Sequence, residues 1–325
     1  MNRSVASLLL LLAALIWGAG FLAQKHASTN MGPVSFVGAR FLLSWALLAP
    51  LALYEHRKES RPPLTIRDFG IAGLIGLCLF VGAILQQSSL LTTTTTNVGF
   101  LTALSVIFVP AIVWAMSGAR PKAVVLVAII ICLVGSWLVT EHGHFHRWTR
   151  GDVLVVIADV AWAGVITLTP LFLNRVPRPF LLAFMQFGVV ALLGLALGAS
   201  LEPVSEQNLA SAFPAILYSG AISGALAFTL QITAQKYVPA TQAALILSLE
   251  SVFAAVAGAL LLSERLTGLA ALGCALILLG VLIAEAGPSA RALMRRANRL
   301  NLRYSSAAPA VSEELAVFPA GVDPD

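Results

Sequence analysis

Charge is what this sequence has least of. Only 11% of its 325 residues are Asp, Glu, Lys or Arg, against about 25% in a soluble domain. A soluble fold of this length would not keep its surface in water with so few. Cysteine is scarce as well. Cys78, Cys132 and Cys274 all fall inside apolar runs, so they read as small core residues and imply no disulfide framework. Catalytic signatures are missing too. There is no HExxH, no GxSxG, no P-loop and no pair of intramembrane aspartates. Zinc, serine, nucleotide and aspartyl chemistry therefore lack their residues. No cofactor or metal site is expected. His142, His144 and His146 in the stretch EHGHFHRW have no cysteine beside them and read as a solvated loop.

What is present is apolar side chain, 58% of the residues, with a mean hydropathy of +0.89. A transmembrane helix needs roughly 20 mostly apolar residues. Ten segments meet that need: 5–24, 35–54, 69–87, 97–116, 122–139, 152–172, 180–199, 212–234, 240–262 and 268–286. The first reads as a structural helix rather than a cleaved signal. With the N-terminus inside, the inner loops and tail hold fifteen Lys and Arg and the outer loops four: Lys25, Arg147, Arg150 and Arg265. That asymmetry predicts both termini in the cytoplasm. The pI near 9.4 does not point to nucleic acid, because the basic residues sit in loops and in the tail, where they suit topology control and anionic lipid. Residues 288–325 begin basic, with interspersed Leu and Met, and end acidic and rich in Pro and Ala. They predict an interfacial stretch followed by a loose tail.

A shift of 145 residues lays the chain on itself. Trp17 falls on Trp162, Gln86 on Gln231, Thr96 on Thr241, Phe108 on Phe253, Arg120 on Arg265 and Gly135 on Gly280. Helix starts and ends align with these rare residues in one ungapped register. The expectation is two five-helix repeats, 1–140 and 150–287. Five is an odd number, so the second repeat must enter the bilayer upside down. Inverted repeats of this kind place a substrate site near the midplane between the halves.

The stretches ALIWGAGFLAQK, NVGFLTALSVIFVPAIVWAMSGARPK and LSLESVFAAVAGALLLSERLTGLAALGCALILLGVLIAE resemble the EamA-type branch of the drug/metabolite transporter superfamily. The resemblance covers roughly residues 5–287 and is most specific from Glu264 to Gly280. It implies an all-α integral membrane protein, with ten transmembrane helices in two inverted repeats. One departure stands out: the family commonly has Pro after the Glu of helix nine, and here Ser251 follows Glu250. Pro110 offers a comparable kink in the first half alone, which puts symmetric hinging in question.

Few polar groups fall within spans. Each ionisable one costs about 2.5–3.5 kcal/mol near the bilayer centre. Arg40 either snorkels to the surface or faces a substrate carboxylate. Asp159 has Trp162 at i+3, and Glu250 has Phe253 at i+3, so acid and ring share a face. An acid beside an aromatic can bind an amine or carry a coupling proton, or it can merely hold helices together. Trp17, Gln86 and Gln231 are further candidate substrate contacts, with packing as the alternative for Trp17 and interhelical glue the commoner role for the glutamines. Gln87, Gln186 and Gln235 are candidates on the same terms, and Gly18 and Gly20 read as points of close helix approach. Five consecutive threonines, Thr92 to Thr96, open the fourth segment. Thr96 and Thr241 are read as gating hydroxyls at opposite cavity mouths, with plain helix capping as the alternative, and Pro110 as a gating kink.

The function expected is secondary transport, outward, of a small organic metabolite such as an amino acid or derivative. The setting expected is the bacterial inner membrane. The expected partners are the bilayer and the small-molecule substrate; a coupling proton and a homodimer stay open. So do two other classes, an intramembrane enzyme and a non-transporting scaffold or sensor.

Overall fold

Helices dominate because a chain this apolar has no water to satisfy its backbone, and the helix pairs every N–H and C=O internally. The computed structural model describes residues 1–57, 63–118, 120–141, 149–261 and 267–284. The histidine loop, Glu264, Arg265 and the tail from 285 lie outside the described residues.

In chain order the helices are α1 (Arg3–Ser28), α2 (Pro33–His56), α3 (Ile66–Ser89), α4 (Thr95–Leu101, a 3-10 turn at Thr102–Leu104, then Ser105–Ser117) and α5 (Ala123–Glu141). They are followed by α6 (Arg150–Arg175), α7 (Pro179–Leu201), α8 (Glu206–Leu217, a π-helical stretch Tyr218–Phe228, then Thr229–Gln235), α9 (Ala240–Leu247 and Glu250–Leu261) and α10 (Gly268–Ala284). Among the described residues eight of these are long and apolar enough to cross a membrane; Ala123–Val139 and Gly268–Ala284 are shorter apolar helices. The outward faces are greasy: Leu8, Ile130, Leu192 and Leu282 are 61%, 61%, 59% and 64% exposed. A surface of that kind is stable against lipid, not water.

Two of the helix crossings are antiparallel pairs of small-residue faces. At the α2–α7 crossing a Cβ on Gly38 would lie 2.7 Å from the Gly194 backbone, so only glycine lets the helices meet there. The ends of this pair are tied reciprocally. Glu202, just past the end of α7, accepts from Val34 N (3.0 Å) and Ser35 N (2.7 Å) at the start of α2. Glu55, near the end of α2, accepts from Leu181 N (3.0 Å) at the start of α7. Each carboxylate satisfies orphan N–H groups at a positive helix end, and side-chain caps of this kind contribute about 0.5–2 kcal/mol.

The α5–α10 crossing has the same reciprocity. Cys132 Sγ lies 3.7 Å from Ile277 O, and these residues are 145 apart. Gly135 packs on Gly273 and Ile277, while Gly280 packs on Ala128 and Cys132. Every residue in the first contact is the 145-residue counterpart of one in the second.

Both α4 and α9 are interrupted, so the breaks are not confined to the first half. The 3-10 turn at Thr102–Leu104 interrupts α4, and a turn at 248–249 interrupts α9. These positions are one 145-residue shift apart, and neither contains proline. Pro110 sits inside the second part of α4, beyond the break.

Candidate functional site

A cavity opens between the halves and is lined by residues of both. Trp17, Phe21 and Gln24 of α1, Arg40 of α2, Gln86 of α3, and Thr102 and Ser105 of α4 line one side. Asp159, Trp162 and Ile166 of α6, Ser223, Phe228 and Gln231 of α8, and Leu247, Ser248 and Glu250 of α9 line the other. The breaks explain part of this: Ser105 and Glu250 each begin the helical segment that follows one.

Phe228 is the hub of the wall. Trp17 meets it edge-on at 4.8 Å and Trp162 stacks at 5.9 Å, with Phe187 (5.6 Å) and Phe41 (6.1 Å) behind. The indole Nε1 of Trp17 donates to Ser223 O at 3.0 Å. Ser223 lies in the π-helical stretch, the sort of local distortion that recurs at functional sites. Tyr218 OH, from the same stretch, donates to Ile16 O at 2.9 Å. This stretch therefore ties α8 to α1 beside the cavity.

Three charged side chains reach the cavity. Arg40 is 5% exposed, so the snorkelling alternative fails. Its guanidinium stands 5.1 Å over the Phe41 ring and 5.5 Å over Phe36, it makes no ion pair among the described residues, and its Nε has no partner. Asp159 is fully buried, and neither carboxylate oxygen meets a hydrogen-bond donor. Glu250 is partly accessible and lines the cavity together with Thr102. Gln24 Oε1, Gln231 Oε1 and Trp162 Nε1 are also buried and unpartnered. A buried unmade hydrogen bond costs about 1–3 kcal/mol. Several in one cavity mean that the space is completed by water or a solute.

The seven residues singled out as substrate contacts, Glu250, Asp159, Trp17, Trp162, Arg40, Gln86 and Gln231, all line this one space. Gln87 and Gln235 serve as glue, donating to Gln24 O (3.0 Å) and Ile166 O (2.9 Å). Gln186 is buried in α7, away from this lining, with neither amide atom partnered. Gln24, Thr102, Ser105, Ser223, Phe228 and Ser248 escaped the sequence reading. The 145-residue shift held a signal for some of them, since Phe21 and Ile166, Thr102 and Leu247, and Ser105 and Glu250 are counterparts that line the wall in pairs.

The threonine tract works as a cap and a tie. Thr94 Oγ1 accepts from Asn97 N (3.1 Å) at the start of α4. Thr93 Oγ1 donates to Asp152 Oδ1 at 2.6 Å, at the start of α6. Lys25, at the end of α1, donates to Leu90 O and to Thr93 O (3.2 Å). The side chain of Thr96 lies outside the described residues. Thr241 is half-buried in the first turn of α9, and Pro110 is buried in α4; neither lines the cavity. At the opposite end, Arg3 donates to Gln242 Oε1 (2.8 Å), and Gln242 donates to Ala284 O (3.3 Å). Asn97 reaches Thr93 at 3.3 Å. Asn97 and Gln242 are 145-residue counterparts, one in each of these hydrogen-bonded clusters.

Apolar helices around a charged cavity, built jointly by two similar halves, define a multi-pass membrane protein of the transporter class. The chain matches the EamA-like transporter family twice, over residues 4–141 and again over 149–285. It belongs to that family, as its motifs implied. An uncharacterized transporter of Archaeoglobus fulgidus is 29% identical over 282 residues, covering 87% of this chain and 86% of that protein. The uncharacterized transporter YwfM of Bacillus subtilis is 25% identical over 295 residues, covering 89% of this chain and 96% of that one. A solved crystal structure shares the fold, with a TM-score of 0.69 at 19% identity, over 87% of this chain and 98% of that one.

Proposed function

We propose that the protein is a secondary carrier, exporting a small organic zwitterion of the amino-acid kind by alternating access across a bacterial inner membrane. The observation that carries this reading is where the charges fall. The cavity wall repeats itself at Trp17 and Trp162 and at Gln86 and Gln231, yet its charged groups do not. At the 145-residue shift Asp159 stands opposite Ala14, Glu250 opposite Ser105, and Arg40 opposite Met185. Aligning the helix starts Pro33 and Pro179 instead puts Arg40 opposite Gln186, which is no more charged. A near-symmetric box with charges of both signs on unsymmetric positions suits a solute with unlike ends.

Arg40 receives the solute carboxylate in the fork geometry that guanidinium offers. Glu250 receives the ammonium, and in the return step it can hold a proton in its place. The ten helices span the bilayer with both termini cytoplasmic, as the fifteen-to-four distribution of basic residues indicates. An inverted two-fold relation between the halves is supported by the contact between Cys132 and Ile277, because a residue touching its own counterpart lies near the axis that exchanges them. Alternation exchanges the Asn97 closure for the Gln242 closure, with the breaks in α4 and α9 as hinges. Thr96, Thr241 and Pro110 flank those moving segments.

Purified protein in liposomes should move labelled zwitterionic amino acids down their gradient. Product formation without flux would make it an enzyme; neither would leave a scaffold. A reporter fused after residue 325 should read as cytoplasmic, and an external reading would sink the ten-span arrangement.

A further inference from the structure

We infer that the solute this cavity fits carries one carboxylate and two ammonium groups, as a diamino acid does. The inference rests on the carrier reading above and adds a third charge to it. Among the described lining residues Arg40 is the cation, and Asp159 and Glu250 are the anions. A solute with one carboxylate and one ammonium matches Arg40 and one acid. It leaves the other acid buried without a partner, a costly arrangement for a charge.

The acids differ in how well the protein itself serves them. Glu250 is partly accessible and opens a helical segment. Asp159 has nothing: it is fully buried, it lines the cavity, and both its oxygens lack a donor. It shares the cavity with Glu250, so two negative charges there oppose each other. Two ammonium groups on one solute relieve that opposition together. Trp162, one helical turn from Asp159 and stacked against Phe228, offers a ring beside which a methylene stem and its cationic tip can lie. A plain diamine fits less well, because it brings no anion to Arg40, whose guanidinium stays charged. A dicarboxylate would add negative charge to a cavity that already has an excess.

The test is equilibrium binding to the full-length protein in detergent, read by tryptophan fluorescence or calorimetry, with counterflow in liposomes alongside. The probes are L-lysine, Nε-acetyl-L-lysine, L-leucine and cadaverine. Acetylation removes the second charge and keeps the carboxylate, the α-amine and the length. Lysine should bind at least about tenfold tighter than each of the others, a difference of about 1.4 kcal/mol. Asp159→Asn, checked for folding by size exclusion, should bring the lysine to acetyl-lysine ratio close to one. Equal binding of lysine and acetyl-lysine by the wild type would overturn the diamino-acid inference and leave the carrier reading standing. Tighter binding of cadaverine than lysine would remove Arg40 as the carboxylate anchor and overturn it as well. If no zwitterion binds or exchanges at all, the carrier reading fails with it.

Discussion

Glu250→Gln should fold and should not transport. The amide keeps the length, the planar shape and most of the hydrogen-bonding capacity of the carboxylate, so the helical segment that starts at residue 250 retains its packing. What it loses is the charge that an ammonium group would meet, and the site a proton would occupy on the empty return. Breaking one partner of a buried charge pair costs about 3–5 kcal/mol, which lowers solute affinity by two orders of magnitude or more. Flux into liposomes, measured from about pH 5 to pH 8, should fall to background in Glu250→Gln and should lose whatever pH dependence the wild type has. Asp159→Asn should lower flux by a smaller factor, because Arg40 and Glu250 still hold the two ends of the solute. Size-exclusion profiles of both variants provide the folding control. A monodisperse Glu250→Gln protein with wild-type flux and an unchanged pH profile would take this carboxylate out of the mechanism and leave it as a helix contact.

The contents of the cavity were legible in the sequence because they are expensive. A carboxylate inside an apolar segment is rare, so Asp159 and Glu250 announce themselves; so does Arg40, although its direction could not be read. Depth along the helix allowed the guanidinium to reach either the surface or the interior. Its burial over the rings of Phe36 and Phe41 decides for the interior. Trp17 and Trp162 were legible because tryptophan is rare and one shift aligns them. Phe228, the ring both of them rest on, was not: it is one of 16 phenylalanines, and nothing local distinguishes it.

Other features are invisible for physical reasons. The break in α9 contains no proline or glycine, so local propensity gives no hint of it. The π-helical stretch Tyr218–Phe228 reads locally as an ordinary small-residue helix. Glu55 and Glu202 look like loop charges, and their role as reciprocal caps depends on α2 and α7 lying antiparallel in contact. In the threonine tract the ambiguity is total, because five identical residues offer five identical hydroxyls. Asp152, 59 residues away from Thr93, selects which of them makes the tie. Tertiary contacts of that separation leave no periodicity in the sequence.

Gly18→Val should disable the protein through backbone geometry alone. A Cβ at position 18 would lie 2.6 Å from Glu250 O, 2.8 Å from Ala254 N and 2.8 Å from Phe253 Cβ. Two of those neighbours are backbone, which cannot rotate aside as a flexible side chain would, so α9 must move off α1 at the turn that carries Glu250. Overpacking of this kind costs about 1–3 kcal/mol. The larger consequence is positional: a displacement near 1 Å of a site group can cost about a hundredfold in rate. Gly18→Ala adds the Cβ alone and should already lower flux at least about tenfold, and Gly18→Val should lower both flux and melting temperature. The matched control is Gly73→Ala on α3, where no heavy atom lies within 4 Å of the new methyl. That variant should transport as the wild type does, and its melting temperature should hold or rise, since alanine favours a helix over glycine by about 1 kcal/mol. Wild-type flux and stability in Gly18→Ala would show that α1 and α9 separate freely at this crossing, and the rigid seat it gives Glu250 would have to be abandoned.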